Sequence, residues 1–511
     1  MAWMSQKLKI IALIENENGD SIIQKASEKV IPDVEEFDKQ GFRISLDQLE
    51  KAFLTGRKEV CVGAVSEYLE IISKKKTYQE FIKTDETVMM ESPRTYGLDM
   101  EIGGFDAKTH VILDKNGKTV YSVAKDYFEP KNPMERFQSP CKSELALKLT
   151  SKLSYNDSTE MLKRICHEDE GIKTTTLRNI VENQGKAINA IQHNIAEEAL
   201  AANGFTVSGD KKPDTEITTA ERKTIDKEIV KAAAAELELE NIDAADYEEP
   251  TQTVNISADD VMVDRQASKR PNSPEKGQKK RVSNTVIHIQ QDKRTYILNN
   301  GGIKGALKLL LGFLFANSLT GLYQFVFFTD GATDLNDPIK AMFGFLPIKI
   351  ILDWYHLMEK VKQRLSQGMK GYKKRNAFLD LLSPVLWRGD VAGAIAMLEG
   401  LSDDLVKSRA EVVKLIDYLK RNQIYIPCYI MRAKLGLWNS SNRVENANGR
   451  VVSFRQKSQG MSWSREGSSG LASVSAAIIN GEILNWTGSR TLHFNLLNHS
   501  NEDITEENAA A

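Results

Sequence analysis

Apolar residues recur along this chain in two different rhythms, and the rhythm predicts the element. In "SLDQLEKAFL" and "VGAVSEYLEIISKK" they fall every three to four positions, so residues 1–105 are expected to form a mainly helical N-terminal region whose function cannot be read. From 108 to 128 apolar and polar residues alternate on either side of Asn116-Gly117, a turn pair that predicts a β-hairpin within 106–135. Residues 139 to 200 read as several short helices broken by Ser-Pro, Asn-Asp and Gly, with Thr174 to Thr176 as caps. A helix-turn-helix-like DNA-binding region over 136–210 is one reading; a plain helical bundle is the other.

Thr218 and Glu221 have the spacing of a capping box, which predicts a helix near 219–240. The acidic "NIDAADYEEPTQ" after it has the composition of a linker, so 211–250 is read as helix and linker. Beyond it the pattern predicts a strand at "TVNISADDVMVDRQ", a strand pair through "VIHIQQDKRTYIL" and a helix at "GIKGALKLLLGFLFANS". "YQFVFFTDGA" and "PIKIILDWYHL" are short, strongly apolar runs of the kind that buried strands require. An α/β domain is expected over 251–355 and 438–490, interrupted by an all-helical insertion at 356–437, with a disordered acidic tail at 491–511.

Length and composition narrow the class. At 511 residues, 41% hydrophobic and 27% charged, the chain is ordinary for a folded protein of three or so domains. No apolar run approaches the roughly 18 residues of a membrane span, and the N-terminus lacks a cleavable export pattern, so a cytoplasmic location is expected. Cys61, Cys141, Cys166 and Cys428 form no C-x-x-C pair, which argues against a zinc knuckle or a disulfide framework.

A net charge of −2 counts against nucleic-acid binding unless the charge is uneven, and it is. Residues 268–281 hold Lys269, Arg270, Lys276, Lys279, Lys280 and Arg281 against Glu275, and residues 360–375 include Lys373, Lys374 and Arg375 with no acid. Such runs are either solvated faces or phosphate contacts. Arg455, Lys457 and Arg465 around Trp463 suit backbone contact with stacking on an unpaired base, unless Trp463 belongs to the core.

Apolar strand-like runs end in acids at Asp259, Asp330 and Asp353. Ligands of open α/β sheets bind beyond strand ends, so carboxylates there converge. Within about 4 Å each pair repels by roughly 1 to 4 kcal/mol, a conflict resolved by protons or by cations. All-oxygen donors favour Mg²⁺ or Mn²⁺, and two such ions suit in-line displacement at phosphorus. Taken singly, each Asp has the alternative of capping the next turn. Asp259 and Asp260 point to opposite faces of a strand, so only one can serve; Asp259 is preferred.

The strings "ISADDVMVDRQ", "FFTDGATDL", "ILDWYHLMEKV" and "NRVENANGRVVSFRQKSQGMSWSREGSSGLA" resemble bacterial insertion-sequence transposases of the DDE type, particularly those related to mutator-like elements, over about residues 250–490. The resemblance implies an RNase H-like catalytic domain in which Asp259, Asp330 and Glu445 hold two Mg²⁺ or Mn²⁺ ions, with the Asp353/His356 pair in support. Its further implications are double-stranded DNA as partner, at transposon ends and target, a dimer or larger assembly on DNA, and a bacterial, nucleoid-associated location. Related N-terminal regions carry paired cysteines that this chain lacks. The alternatives are a catalytically inactive transposase-derived DNA-binding protein, and an RNase H-like nuclease without strand transfer.

Overall fold

The structure is a computed structural model that describes residues 6–31, 42–81, 87–89, 94–123, 137–168, 171–206, 209–212, 215–266, 281–457 and 460–498. The chain divides into two compact units, Met1–Arg178 and Asn179–Ala511.

The first unit is a mixture of strand and helix rather than the mainly helical region expected. It opens on an antiparallel hairpin of β1 (Gln6–Glu15) and β2 (Ser21–Ile31). Asn16 Oδ1 accepts from the backbone N–H groups of Asn18 and Asp20, and Gly19 takes a positive φ of 83°. Asn18-Gly19 is therefore the same hairpin signal as Asn116-Gly117, here flanked by Ile-rich runs. The 40-residue helix α1 (Phe42–Phe81) follows. Short strands β3 (Thr87–Met89), β6 (Val111–Asp114) and β7 (Thr119–Ser122) form one sheet; β4 (Arg94–Met100), β5 (Gly103–Thr109) and β8 (Phe137–Gln138) form another. Asp114 Oδ1 closes the β6–β7 turn by accepting from Asn116 and Lys118. Helices α2 (Pro140–Thr150) and α3 (Tyr155–Ile165) begin at Ser139 and Ser154, each capping through its hydroxyl. The next helix, α4 (Thr174–Ala202), runs 29 residues where short helices were expected.

The second unit is built on one mixed sheet in the order β13-β12-β9-β10-β11-β14. Its strands are β9 (Thr253–Asp264), β10 (Arg281–Gln291), β11 (Arg294–Asn300), β12 (Gln324–Thr329), β13 (Ile348–Leu352) and β14 (Leu497–Asn498). β9, β10 and β11 form an antiparallel meander; β12 joins β9 in parallel, and β13 joins β12 in parallel. Alternation divides the side chains between the faces. Val254, Ile256, Ala258, Phe325, Phe327 and Ile350 belong to one core with α6 (Ile303–Ala316) and α7 (Thr333–Phe343). Val326, Phe328 and Ile351 belong to a second core with α8 (Trp354–Gly368), α9 (Tyr372–Trp387), α10 (Val391–Glu399) and α11 (Arg409–Asn422). The acidic tail contributes more order than its composition suggested: Phe494 is buried and β14 pairs with β11, while 499–511 lie outside the described residues. Among the described residues no helix is long and apolar enough to cross a membrane.

Residues 215–250 depart from expectation. Thr218 and Glu221 open no helix, because the backbone there is committed to other partners: Ala220 N–H donates to Thr320 and Ile225 N–H to Tyr247. Helix α5 (Lys227–Glu236) starts instead at Asp226, whose carboxylate accepts from Glu228 N–H. The acidic stretch read as a linker is packed. Tyr247 is buried, and Glu248 receives a bidentate pair of hydrogen bonds at 2.9 and 2.6 Å from the buried guanidinium of Arg432 on α12 (Tyr429–Lys434). Burial raises the Glu248 carboxyl, but the charge and hydrogen bonds of Arg432 outweigh it and hold the carboxyl below its ordinary range.

Replacing Glu248 by Gln strands a buried cation and is expected to cost about 3–5 kcal/mol, whereas Glu248→Gln with Arg432→Met is expected to recover most of it. Since the folded carboxyl titrates below the unfolded one, its contribution is present above about pH 4.3 and lost as pH falls through the folded value. Denaturant midpoints measured at pH 7 and pH 3 check both points. A single variant as stable as the parent would refute the anchoring role.

Candidate active site

Strand register brings the acids together. Phe328 pairs with Ser257 across β12 and β9, so Asp330 and Asp259, each two residues further on, lie level. Thr329 pairs with Leu352 across β12 and β13, so Asp330 and Asp353 also lie level. Neighbouring strands run about 4.8 Å apart, which puts three carboxylates on one level, where β12 and β13 end; β9 does not end at Asp259 as expected but continues to Asp264, because its pairing with β10 runs on to Arg281. Asp259 shares its face with Ser257, and Asp330 shares its face with Phe328, on the side of the helical insertion. Gly331 follows with φ 78°, a turn in which Asp330 Oδ1 accepts from Ala332 N–H at 2.8 Å.

The same alternation separates the two adjacent acids. Asp260 points the other way, where it accepts from Ser283 Oγ at 3.1 Å and from Thr285 Oγ1. Asp259 faces α13 (Asn442–Asn448): its Oδ1 accepts from Asp260 N–H at 2.8 Å and its Oδ2 from Asn448 Nδ2 at 2.6 Å. Asp259 is thus the one on the face of Asp330.

Asp353 is fully buried and already occupied. It caps α8, with Oδ1 accepting from His356 N–H at 2.9 Å and lying 3.1 Å from His356 Nδ1, while Oδ2 accepts from Ser441 N–H. It is a clamp between α8 and the start of α13, with both oxygens engaged. Through it His356 is aimed at the other acids, and His356 Nε2 stands 3.9 Å from Glu445 Oε1. Burial opposes protonation of this imidazole, but the hydrogen bond and charge of Asp353, with Asp259 and Glu445 nearby, raise it to about 9. At neutral pH an imidazolium therefore sits among the carboxylates. Burial raises both Asp259 and Glu445; for Asp259 the Asp260 N–H bond and His356 pull back while the charge of Asp330 pushes up, and for Glu445 His356 pulls back while Asp353 and Asp259 push up.

Do these residues suit a divalent cation? In donor chemistry they do: Asp259, Asp330 and Glu445 offer only oxygen, as Mg²⁺ or Mn²⁺ prefers. Ser257 Oγ, Ser441 Oγ and Asn448 Oδ1 are buried without hydrogen-bond partners among the described residues, and such orphaned polar atoms are compatible with the water shell of a hydrated ion. As the side chains stand, no three His, Cys, Asp or Glu residues among the described ones are grouped closely enough to hold an ion.

The basic candidates fall into four groups. Lys279 and Lys280 lie outside the described residues, whereas Arg281, Lys373, Lys374, Lys457 and Arg465 are exposed. Arg375 is half-buried, bonded to Ser366 Oγ and Asn376 Oδ1 at 2.7 Å each. Trp463 and Arg455 depart from the stacking role: they are 7% and 4% exposed, Trp463 Nε1 donates to the Gln456 carbonyl at 2.9 Å, and the Arg455 guanidinium covers the indole at 5.1 Å. A local run of sequence could not distinguish a base platform from a buried pair. A cavity of about 780 Å³ opens on the opposite face beside Asp260, Gly302, Lys304 and Asp334, and Asp259, Asp330 and Glu445 do not line it.

Two residues near the acids escaped the sequence reading. Arg443 donates to Gln290 and stacks at 4.1 Å over Trp438. Asn448 holds Asp259; its spacing of three from Glu445, the same helical face, was the available signal.

No protein-family model and no curated protein matches the sequence. Among solved structures, a chain of the "Drosophila P element transposase strand transfer complex" is similar with a TM-score of 0.31 and 11% identity, over 70% of this chain and 95% of that one. A likeness of that size assigns no role to any residue here.

Asp353→Asn keeps the cap but removes the charge, so the His356 titration is expected to move down from about 9 toward about 6.5, the ordinary imidazole value. An NMR titration of the ring follows it; an unmoved midpoint would show that Asp353 does not set the charge.

Proposed function

We propose that this chain is a DDE-type transposase that cleaves DNA at transposon ends and joins the freed 3′-hydroxyl to target DNA. The observation that carries the reading is the level placement of Asp259, within β9, and Asp330, just after the end of the adjacent parallel β12, on one face, with Glu445 brought to them through His356. Three antiparallel strands followed by two parallel ones, with β9 in the middle, support an RNase H-like catalytic domain. Asp259, Asp330 and Glu445 would hold two Mg²⁺ or Mn²⁺ ions. Bound there, the ions supply activation of the attacking oxygen and stabilisation of the departing one.

The chain's own residues do the rest. Asp353 fixes the His356 ring, and the imidazolium keeps neighbouring carboxylates ionised in a half-buried site. Exposed Lys373, Lys374, Lys457, Arg465 and Arg281 neutralise phosphates, which a continuous duplex needs over an open surface rather than in an enclosed cavity. Synapsis of two transposon ends calls for a dimer or larger assembly on DNA. A second reading, a transposase-derived protein that binds DNA without cutting it, is favoured by the separation of the carboxylates among the described residues.

Asp259→Asn, Asp330→Asn and Glu445→Gln are each expected to lower Mg²⁺-dependent nicking and end joining by at least about a hundredfold, the upper range for groups that only support a metal's ligands. Gel assays on a labelled transposon-end duplex measure this. Full activity in Asp330→Asn would overturn the transposase reading, parent protein that binds DNA but never nicks it would select the second, and cut ends without joined products would indicate a nuclease.

For the basic face, Lys373→Ala with Lys374→Ala is expected to weaken duplex binding and to lower the slope of log affinity against log salt by about 0.9 for each phosphate no longer neutralised. Fluorescence anisotropy across a salt series of roughly 50 to 200 mM reads both. An unchanged slope would remove these lysines from the DNA surface.

A further inference from the structure

Asn448 lies one helical turn after Glu445, so both side chains emerge from the same face of α13. Its amide orientation is dictated by chemistry: the Asp259 carboxylate can only accept while ionised, so the NH₂ group must be the one 2.6 Å from Asp259 Oδ2. The geminal oxygen is consequently held beside that contact. Asn448 is 5% exposed and its Oδ1 has no hydrogen-bond partner among the described residues. A buried amide that spends its donor on a site carboxylate and leaves its acceptor empty next to it is half of a polar network.

The element carrying Asn448 is strongly held. Directly after it the helix widens into a π turn, Gly449–Ser453, a distortion frequent at functional sites. The chain is then anchored through Gln456, whose Oε1 accepts from Ser468 Oγ at 2.6 Å, while Ser468 Oγ accepts from Asn284 on β10 at 2.7 Å. These contacts tie α13 to the strand that pairs with β9, so Asn448 and Asp259 are placed by one framework.

We infer that Asn448 is a fourth member of the site, a positioning residue that orients Asp259 through Nδ2 and offers Oδ1 as acceptor to a water of a hydrated divalent cation. The inference rests on the reading of Asp259, Asp330 and Glu445 as the cation's ligands. It differs from a structural asparagine in one measurable respect: cation affinity depends on it in protein that is fully folded.

The test is Mn²⁺ titration of the full-length chain, with free Mn²⁺ followed by electron paramagnetic resonance, for the parent, Asn448→Ala, Asn448→Ser and Asp259→Asn. Circular dichroism and metal-free melting establish folding. In both Asn448 variants, which cannot reach Asp259, Mn²⁺ affinity is expected to fall by about tenfold to a hundredfold. The Mg²⁺ concentration giving half-maximal nicking is expected to rise by a like factor. Asp259→Asn is expected to lose the site. If Asp259→Asn loses Mn²⁺ while the folded Asn448 variants bind as the parent does, the role of Asn448 is overturned and the acids keep theirs. Failure of both Asn448 variants to fold makes the residue structural and also overturns it. Unaltered Mn²⁺ binding in Asp259→Asn removes the acid site itself, and the inference with it.

Discussion

Like charges gathered at one level of the sheet set the terms for everything around them. Asp259, Asp330 and Asp353 are level because β12 and β13 end beside the middle of β9, which continues to Asp264. Compensation comes from above the strand ends. Asp353 is saturated by backbone N–H groups from α8 and α13 and by the His356 ring, and the imidazolium so held presents its far side to Glu445. One buried carboxylate thus holds the imidazolium whose charge offsets part of the burial that raises Asp259 and Glu445.

Packing follows the same division. The faces of the sheet carry separate apolar cores, and Asp259 and Asp260 mark the point where adjacent residues are sent to opposite sides. On one side Asp260 is tied by hydroxyls of β10 near an open cavity. On the other, Asp259 is gripped by Asn448 beneath the helical insertion. On this second side Lys373 and Lys374 are exposed on the insertion.

The polar groups buried in this unit act at a distance from the acids but serve their placement. Arg432 and Glu248 fasten α12 to the segment that enters β9, and Gln456, Ser468 and Asn284 fasten the end of α13 to β10. Each is costly to leave half-paired, so each fixes one register of the elements that bear the carboxylates.

The sequence by itself determined the elements whose signals are local. Apolar runs such as "QFVFFT" and "IKIIL", the Asn116-Gly117 turn and the acids Asp330 and Asp353 after their strands were legible because strand burial and turn geometry depend on a few consecutive residues, whereas Asp259 lies within β9, whose length is set by pairing with β10. What only the tertiary structure decided depends on partners far along the chain. Thr218 and Glu221 open no helix because pairing with Thr320 and its neighbours claims the backbone; "NIDAADYEEPTQ" is core because Arg432 arrives to neutralise Glu248; and Trp463 is taken into a buried pair with Arg455. The direction of Asp259 and the grip of Asn448 upon it belong to this second class, since 189 residues separate them and only the folded sheet brings the amide to the carboxylate.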